Sequence, residues 1–416
     1  MSSPDTGAAG SAGAVRKRRV FYIPGYDPIH PRRYRELYRR QGTRQAAISG
    51  YDITLRPRAK AANYGWHVTG RFDGAEVKTE VEVLVWSDIV KSSMGHGIAM
   101  SYLRMAYTAL VYIGSGALWR LARLQKGPVI AALYPVVMLL GQALLAGLAV
   151  WGGVKLGLVL RPWLGLFGPL LGGAAGAALA WAMLEQFRRW DGKLFVYYLM
   201  HDYAFNARAL GAMPPELEQR IASFTESIAA ACDDPVDEIL VVGHSSGAHL
   251  GVSVLADLIR SGRVRADGPA LGFLSLGQVV PMVTFLPRAW RLRADLAYLC
   301  ERDEIFWADV TAPGDGCAFA LCDPVAVSGL GGPGQKWPLV FSAAFTQTLS
   351  PARWKALRWR FFRLHFQYLC AFDRPGDYDY FRITAGPKTL AERYRARRSS
   401  KSAITRPVNR FTSTAP

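Results

Sequence analysis

Cysteine and histidine are scarce in this sequence, with five and seven copies in 416 residues. The cysteines lack the close paired spacings of a zinc site, and an odd number of them cannot complete a disulfide framework. The first 14 residues are small and polar and lack the apolar segment of a secretory signal peptide. These absences predict a cytoplasmic domain with reduced thiols and with neither a metal nor another cofactor.

Acidic residues are in deficit: 32 of them stand against 50 lysines and arginines, which gives a net charge of +18. Residues 388–410 hold eight of the basic residues and a single acid, Glu392. Such a run is typical of a solvated, disordered tail, and beside a membrane it would be attracted to anionic lipids. Nucleic-acid binding is the rival interpretation, but no recognition motif accompanies the charge, so we expect membrane lipids and no nucleic acid as partners.

Charge is absent from two long runs, residues 129–151 and 163–184, which are 23 and 22 residues long. Each could cross a hydrocarbon core of roughly 30 Å, whereas helices buried in soluble domains seldom run so far without a charge. The two runs predict a transmembrane helical hairpin over residues 126–190. Tryptophans near the ends of the runs support it, since indole rings prefer the headgroup region: Trp151, Trp163, Trp181 and Trp190.

Small residues recur at every fourth position of the second run, at Gly168, Gly172, Gly176 and Ala180. This spacing puts them on one helix face, where they permit close contact between helices. The predicted partner is the first run, through the glycines at 141 and 147, and a homodimer contact is the alternative.

Basic residues predict the orientation of this hairpin, because lysine and arginine are enriched on the cytoplasmic side of membranes. Six of them flank the hairpin and two lie in its connection, which puts both outer ends in the cytoplasm. The chain is therefore expected to be a multi-pass protein of the cytoplasmic membrane. The six are Arg120, Arg123, Lys126, Arg188, Arg189 and Lys193, and the two are Lys155 and Arg161.

The pentapeptide Gly243-His-Ser245-Ser-Gly247 is the most informative motif in the chain. An apolar run suited to a buried strand, residues 238–242, precedes it, and a helical pattern over residues 248–259 follows. Strand, Gly-x-Ser-x-Gly and helix in this order form the context of a nucleophile elbow, in which a strained turn presents the serine at a helix N-terminus. The alternative is a plain glycine-rich turn with a structural serine.

A nucleophilic serine needs a base and an acid that orients the base. On this kind of sheet the acid and then the histidine follow the serine along the chain. His244 and His249 lie too close to Ser245 to leave room for an acid strand, so His365 is the candidate base. A structural histidine within an aromatic stretch is the alternative interpretation of His365.

The acid is expected on the loop after a strand predicted at residues 305–311. Asp315 fits best, because a Pro-Gly turn carries it just past the strand end. Asp323, eight residues later, and Asp309, inside the strand, are the alternatives. A role in a turn or as a helix cap would explain whichever of these aspartates is not the catalytic acid.

The negative charge that develops on an attacked carbonyl oxygen needs two backbone N–H donors, which together form an oxyanion hole. One donor is expected from Ser246, the residue after the nucleophile. The other is expected from Tyr26, because Gly25 lets the chain turn inward after the strand predicted at residues 20–23. A plain strand-ending turn explains Pro24-Gly25 equally well.

Strands and helices alternate along the chain, which predicts an α/β fold with a mostly parallel sheet and helices on both faces. Residues 101–124 predict a single helix that packs on the domain, lies in the membrane interface as a lid, or forms a third span. The predicted divisions are a disordered basic N-terminus (1–19), one domain formed by residues 20–125 and 191–387, the hairpin between those parts (126–190), and a disordered basic tail (388–416).

Several of these segments together resemble the α/β-hydrolase superfamily, in particular its lipase-like members similar to class-three lipases. The resemblance implies the roles of nucleophile for Ser245, acid for Asp315 and base for His365. The sequence departs from the family in two respects: Pro24-Gly25 stands where His-Gly is usual, and the hairpin before the elbow is not typical. The segments are residues 22–25, 241–248, 274–278 and 307–315, with His365.

The sequence therefore predicts a membrane-anchored serine hydrolase that cleaves a lipophilic ester or thioester through an acyl-serine intermediate. One alternative is a catalytically degenerate form of the same fold that serves as a membrane scaffold or binding module. The loss of a triad residue would favour it, and none is lost. Another is an acyltransferase that uses the same site.

Overall fold

The computed structural model describes residues 14–58, 63–94 and 97–416, and within these ranges the chain is an α/β protein built on one eight-stranded sheet. The strands are β1 (Lys17–Ile23), β2 (Asp52–Pro57), β3 (Gly65–Phe72), β4 (Ala75–Val83), β5 (Glu238–His244), β6 (Ala270–Leu276), β7 (Ile305–Thr311) and β8 (Leu339–Ser342). Their order in the sheet is β2-β3-β4-β1-β5-β6-β7-β8. The strands from β4 to β8 in this order are parallel, and β2 and β3 are antiparallel additions at one edge.

Burial along the strands follows their place in the sheet. All seven residues of β5 are buried, as expected of a parallel strand covered on both faces. β3, near the edge, alternates between buried and more exposed positions. Asp73 and Gly74 connect β3 to β4 with φ angles of 49° and 83°, the positive values that a two-residue hairpin turn of this kind requires.

Helices cover both faces of the sheet, as the alternation in the sequence predicts. Those before the elbow strand are α1 (Arg32–Ser49), α2 (Ser87–Met94), α3 (Ile98–Gly114), α4 (Ala117–Leu124), α5 (Lys126–Val159), α6 (Arg161–Leu164), α7 (Phe167–Arg189), α8 (Asp191–Leu194), α9 (Val196–Ala207) and α10 (Pro215–Ala231). Those after it are α11 (Gly247–Arg260), α12 (Val280–Thr284), α13 (Trp290–Leu299), α14 (Pro324–Val327), α15 (Phe345–Thr348), α16 (Pro351–Leu357), α17 (Phe361–His365), α18 (Tyr380–Ala385) and α19 (Leu390–Tyr394), with a 3₁₀ turn at Phe366–Leu369.

Two buried apolar clusters hold these layers together. On one face, α10, α11 and α13 pack on the sheet, with Val241 and Phe273 fully buried between them. On the other face, α1, α18 and the segment after α17 pack around Val242, Leu274 and Tyr368. Because β1, β5, β7 and β8 are parallel, the loops that follow them open at the same edge of the sheet.

The helices α5 and α7 are long and apolar enough to cross a membrane, and both are mostly exposed. They pack against each other through glycines. A Cβ atom added to Gly153 would lie 2.2 Å from the carbonyl oxygen of Gly172, and one added to Gly157 would lie 2.1 Å from that of Gly168. The predicted small-residue face of α7 is therefore in contact with α5.

The partners on α5 differ from those predicted. A Cβ atom on Gly141 or Gly147 would meet no atom within 4 Å, so these glycines do not form the contact. The antiparallel register instead pairs Gly153 and Gly157 with α7. The prediction was wrong because the run from which it was made, residues 129–151, ends before Gly153 and Gly157. The short connection at residues 160–166 brings the last turns of α5 beside the first turns of α7.

We expect Gly172→Leu to lower the free energy of unfolding of the hairpin by ~1–3 kcal/mol, the usual effect of forcing side-chain atoms into a closely packed contact. The helix backbones would have to move apart, since even a Cβ atom there lies 2.2 Å from an oxygen. Thermal unfolding in detergent micelles measures the change. Gly147→Leu is the matched control, because its side chain enters open space. Equal melting curves for the two variants would contradict this packing.

The single helix predicted at 101–124 is two helices, α3 and α4, separated at Ser115 and Gly116. Gly116 has a φ of 73°, a left-handed conformation that ends a helix. One face of α3 is exposed and apolar, with Leu103 and Leu110 at 63% and 69% exposure. The opposite face packs against α9.

Parts of both segments that were predicted to be disordered, residues 1–19 and 388–416, are ordered in the structure. β1 begins at Lys17 rather than at residue 20, while residues 1–13 lie outside the described part of the chain. The C-terminal segment packs on the domain: Ile404 N–H donates to Leu321 O at 2.7 Å, and Asp323 N–H donates to Ile404 O at 3.0 Å. The tail is rich in basic residues, but apolar residues such as Ile404 and Val408 give it a surface to bury.

Candidate active site

Ser245 stands at the sharp turn between β5 and α11 with a φ of 57°, a left-handed conformation that is rare for residues with a side chain. The flanking glycines are sterically required. A Cβ atom on Gly243 would lie 2.7 Å from the carbonyl oxygen of Gly247, and one on Gly247 would lie 2.1 Å from that of Ile23. The turn is thus the strained elbow that the motif predicts, and it puts Ser245 at the N-terminus of α11.

His365 and Asp315 form a buried hydrogen-bonded pair. His365 Nδ1 lies 2.7 Å from Asp315 Oδ2, so Nδ1–H donates to the carboxylate. Two further donors hold this carboxylate: Tyr368 Oη–H to Oδ2 at 3.0 Å and Cys317 N–H to Oδ1 at 3.0 Å. The pairing orients the imidazole and leaves its Nε2 as the nitrogen that can act as a base.

The approach of His365 to the sheet depends on Gly277, which has a φ of 54°. A Cβ atom at this position would lie 3.1 Å from His365 Cε1 and 2.7 Å from a ring carbon of Tyr368. The glycine therefore makes room for both rings beside the strand end. Ser245 and His365 line the same pocket, and no hydrogen bond joins their side chains in the described structure. Such contacts are often formed only when substrate is bound.

Asp309 and Asp323, the alternatives for the catalytic acid, make their hydrogen bonds away from His365. Asp309 accepts from Ser275 Oγ at 2.5 Å inside the sheet, and burial raises the pKa of Asp309 to about 8. Asp323 caps α14, accepting from the N–H groups of Val325 and Ala326 at 2.9 and 3.0 Å. The structure thus brings Asp315, and neither of these residues, to His365.

His244 and His249, which lie too close to Ser245 along the chain to be the base, are buried next to the elbow. Burial lowers the pKa of His244 to about 3 and the pKa of His249 to about 4, which keeps both rings neutral at physiological pH. His244 Nε2–H donates to the carbonyl oxygen of His365 at 3.0 Å, and the two rings pack with centroids 4.8 Å apart. His244 therefore fixes the backbone of His365, a contact that the sequence does not reveal.

The predicted oxyanion donors lie beside Ser245. Tyr26 and Ser246 both line its pocket, and neither backbone N–H donates a hydrogen bond to any described residue. A Cβ atom on Gly25 would lie 3.0 Å from Ser245 Cβ, so Gly25 allows the loop after β1 to approach the elbow. Trp86 Nε1–H holds this loop by donating to Pro24 O at 2.9 Å. Both N–H groups are therefore available to an acceptor, which is what an oxyanion hole requires of its donors.

The pocket is otherwise mainly apolar and aromatic. Met282, Phe362 and Phe366 form part of its wall, and Pro128, in the first turn of α5, lines it as well. Asp202, on α9, is an acidic residue of the same pocket, and no pattern in the sequence pointed to it.

Asp315, Cys317 and His365 also place potential metal-ligand atoms within 4.8 Å of one another. Two observations favour the hydrogen-bonded pair over a metal centre. The nitrogen of His365 that faces the cluster already donates to Asp315, and burial raises the pKa of the Cys317 thiol, which disfavours the thiolate that a metal needs.

Comparison of the chain with protein-family models, with curated proteins and with solved structures finds no match. The interpretation of the site therefore depends on its own geometry, and the catalytic roles of its residues remain predictions.

Proposed function

We propose that this chain is a membrane-anchored serine hydrolase with an α/β-hydrolase-like core that cleaves a lipophilic ester or thioester. The observation that carries the proposal is one juxtaposition. A serine in a strained turn shares a pocket with a histidine whose Nδ1 is 2.7 Å from a buried carboxylate. Tyr26 and Ser246, whose backbone N–H groups donate to no acceptor among the described residues, line the same pocket. A structural serine would need none of these neighbours.

In acylation, His365 Nε2 removes the proton of Ser245 Oγ as this oxygen attacks the substrate carbonyl carbon. The carbonyl oxygen becomes negative and accepts hydrogen bonds from the N–H groups of Tyr26 and Ser246. Asp315 stabilises the imidazolium that forms, through the hydrogen bond to Nδ1. The imidazolium then protonates the departing alcohol or thiol, which leaves an acyl group on Ser245.

In deacylation, His365 removes a proton from water, and the resulting hydroxide attacks the acyl carbon. The second tetrahedral intermediate uses the same two N–H donors. Its collapse breaks the bond to Ser245 Oγ, returns the proton to this oxygen and releases a carboxylic acid. An alcohol in place of water would make the same site an acyltransferase.

The surroundings of the pocket support a lipophilic substrate. Pro128 brings the start of an apolar membrane-length helix to the pocket wall. Trp359 and Phe361, which directly precede the lining residue Phe362, are 72% and 45% exposed. Phe362 in turn packs against Phe195, just after the hairpin, with ring centroids 4.5 Å apart. Exposed aromatic residues are enriched at membrane interfaces, so the pocket would receive substrate from the bilayer surface.

We further propose that α5 and α7 cross the cytoplasmic membrane with the catalytic domain on the cytoplasmic side. A cysteine introduced as Leu166→Cys, in the connection between the two helices, should react with a membrane-impermeant maleimide added to intact cells. Lys401→Cys, exposed on the domain, should react only after the cells are permeabilised. The reverse pattern would put the domain outside, and labelling of both in intact cells would show that the hairpin does not cross.

Covalent labelling with a fluorophosphonate tests the proposed activity, since this reagent reacts with serines activated as nucleophiles. Membranes that contain the chain are labelled, and the modified peptide is identified by mass spectrometry. Modification of Ser245 is the expected result. If Ser245 remains unmodified, the scaffold alternative is favoured. Analysis of the acyl products with and without added alcohol distinguishes hydrolysis from acyl transfer.

A further inference from the structure

A second, larger depression lies beside the candidate active site, between α1 and the segment that contains α16 and α17. We call it the basic groove, because five arginines line it: Arg33, Arg39, Arg40, Arg353 and Arg363. Its volume is about 1150 Å³. The basic groove adjoins the catalytic pocket, since four residues line both: Asp27, Tyr198, Phe362 and Phe366.

Both walls of the basic groove carry an excess of positive charge. The wall formed by α1 contains six arginines and one acid, Glu36, and residues 350–372 contain five lysines and arginines and no acid. The acids that line the groove already accept hydrogen bonds from the protein: Asp27 from Arg33 at 2.8 Å, Glu36 from Arg39 at 3.0 Å, and Asp191 from Tyr197 N–H at 2.8 Å.

Most of the basic side chains on the α16–α17 wall, in contrast, are exposed and form no ion pair with any described residue. Positive charges that are gathered without counter-charges repel one another, so the stability of the fold does not explain them. They favour an anionic partner outside the domain. These side chains, together with one from α1, are Arg40, Lys355, Arg358, Arg360 and Arg363.

The basic groove also lies where the membrane hairpin joins the domain. Asp191 and Gly192, in the first turn after α7, line it. Phe195 lines it as well and packs on Phe362 of α17 with ring centroids 4.5 Å apart. If α7 crosses a membrane, these contacts hold the groove next to the bilayer surface, which is then available at a high effective concentration.

Exposed aromatic residues of the same wall favour a membrane over a soluble acidic partner. Trp359 and Phe361 alternate with the unpaired arginines along the chain and are 72% and 45% exposed. Aromatic rings prefer the headgroup region of a bilayer, and basic side chains are attracted to the anionic lipids of the cytoplasmic leaflet. The two types of side chain together suit the headgroup layer of such a leaflet.

Resting on the proposed crossing of α5 and α7, and not on the proposed hydrolysis, we infer that the basic groove is a docking surface for anionic phospholipids of the cytoplasmic leaflet. Its unpaired arginines bind the phosphates of the headgroups, and Trp359 and Phe361 enter the headgroup layer. Docking holds the catalytic domain against its own membrane, with the catalytic pocket beside the lipids.

Hydrogen exchange of the full-length chain in lipid nanodiscs tests this docking. One kind of nanodisc contains phosphatidylcholine alone, and the other contains equal amounts of phosphatidylcholine and the anionic lipid phosphatidylglycerol. We expect the backbone N–H groups of residues 351–364 to exchange ~10-fold more slowly in the anionic nanodiscs, because docking protects them. A high salt concentration should remove the difference, since it screens the charges.

Two variants with equal changes in charge locate the contact. The first neutralises three unpaired cations of the α16–α17 wall and should lose most of the protection: Arg358→Gln, Arg360→Gln and Arg363→Gln. The matched control neutralises three exposed cations of the C-terminal tail that also lack an ion pair among the described residues, and it should keep the protection: Arg398→Gln, Lys401→Gln and Arg406→Gln. Native exchange in the remainder of the chain shows that each variant is folded.

Three results would overturn the inference. Equal exchange of the native chain in both kinds of nanodisc would exclude lipid docking and favour an acidic protein as the partner. Loss of protection in the tail variant alone would move the lipid contact to the tail. Protection by inorganic phosphate in phosphatidylcholine nanodiscs would indicate a site for a free anion. Fluorophosphonate labelling of Ser245 in the same nanodiscs tests the hydrolase separately, so docking without labelling would contradict the proposed activity alone.

Discussion

The Ser245→Ala variant is expected to lose fluorophosphonate labelling completely and to lower turnover of an ester substrate by a factor of ~10⁴–10⁶, the range found when a member of a triad is removed. Alanine keeps the Cβ atom at the φ of 57°, so the backbone strain stays the same and the loss of the hydroxyl should not unfold the domain. His365→Ala should produce a loss of similar size, since the residues act as a unit.

Ser246→Ala is the matched control for this experiment. It removes a hydroxyl at the next position, where Oγ is buried and has no hydrogen-bond partner among the described residues. The variant keeps the backbone N–H that the proposed oxyanion hole uses. We therefore expect labelling and turnover close to those of the native chain. Unchanged labelling of Ser245→Ala, or loss of labelling in Ser246→Ala alone, would overturn the assignment of the nucleophile.

Replacement of the acid, Asp315→Asn, is expected to lower turnover by ~10⁴, as in other triads where the orienting carboxylate becomes an amide. The amide keeps the size of the side chain and can still accept a hydrogen bond. However, its NH₂ group can donate to Nδ1, which favours the tautomer that carries its proton on Nε2. In that tautomer His365 cannot take the proton of Ser245.

Two aspartates that were alternatives for the acid are matched controls, and each should tolerate the same change. Burial raises the pKa of Asp309 to about 8, so this side chain is mainly neutral at pH 7 and an amide resembles its state. Asp323 caps α14, and asparagine is an equally good N-cap residue. We expect Asp309→Asn and Asp323→Asn to keep most of the ester turnover. If either lost as much activity as Asp315→Asn, the assignment of the acid would be wrong.

Local signals account for the parts of the fold that the sequence predicted well. β7 (Ile305–Thr311) lies at its predicted residues, and β5 and α11 differ from their predicted ranges by two residues or fewer at each end. Apolar runs bounded by glycines and charges carry this information over a few residues. In contrast, β8 was not predicted, since four residues form too short a run to stand out.

The chain order of Ser245, an acid and a histidine is also a property of the sequence, and it was enough to select His365 among seven histidines. The choice between Asp315 and Asp323 was not settled in this way. Both follow β7 within one loop region, and the difference lies in contacts between residues about 50 positions apart, such as His365 Nδ1 to Asp315 Oδ2.

The sequence by itself determined the parallel-sheet architecture, the elbow at Ser245 and the two apolar helices, because each depends on residues that are neighbours along the chain. Only the tertiary structure decided which glycines of the hairpin meet, that the basic tail packs on the domain, and that Asp202 faces the candidate site. These features depend on register and on the position of one element against another. Such positions result from packing over the whole domain, and no local pattern encodes them.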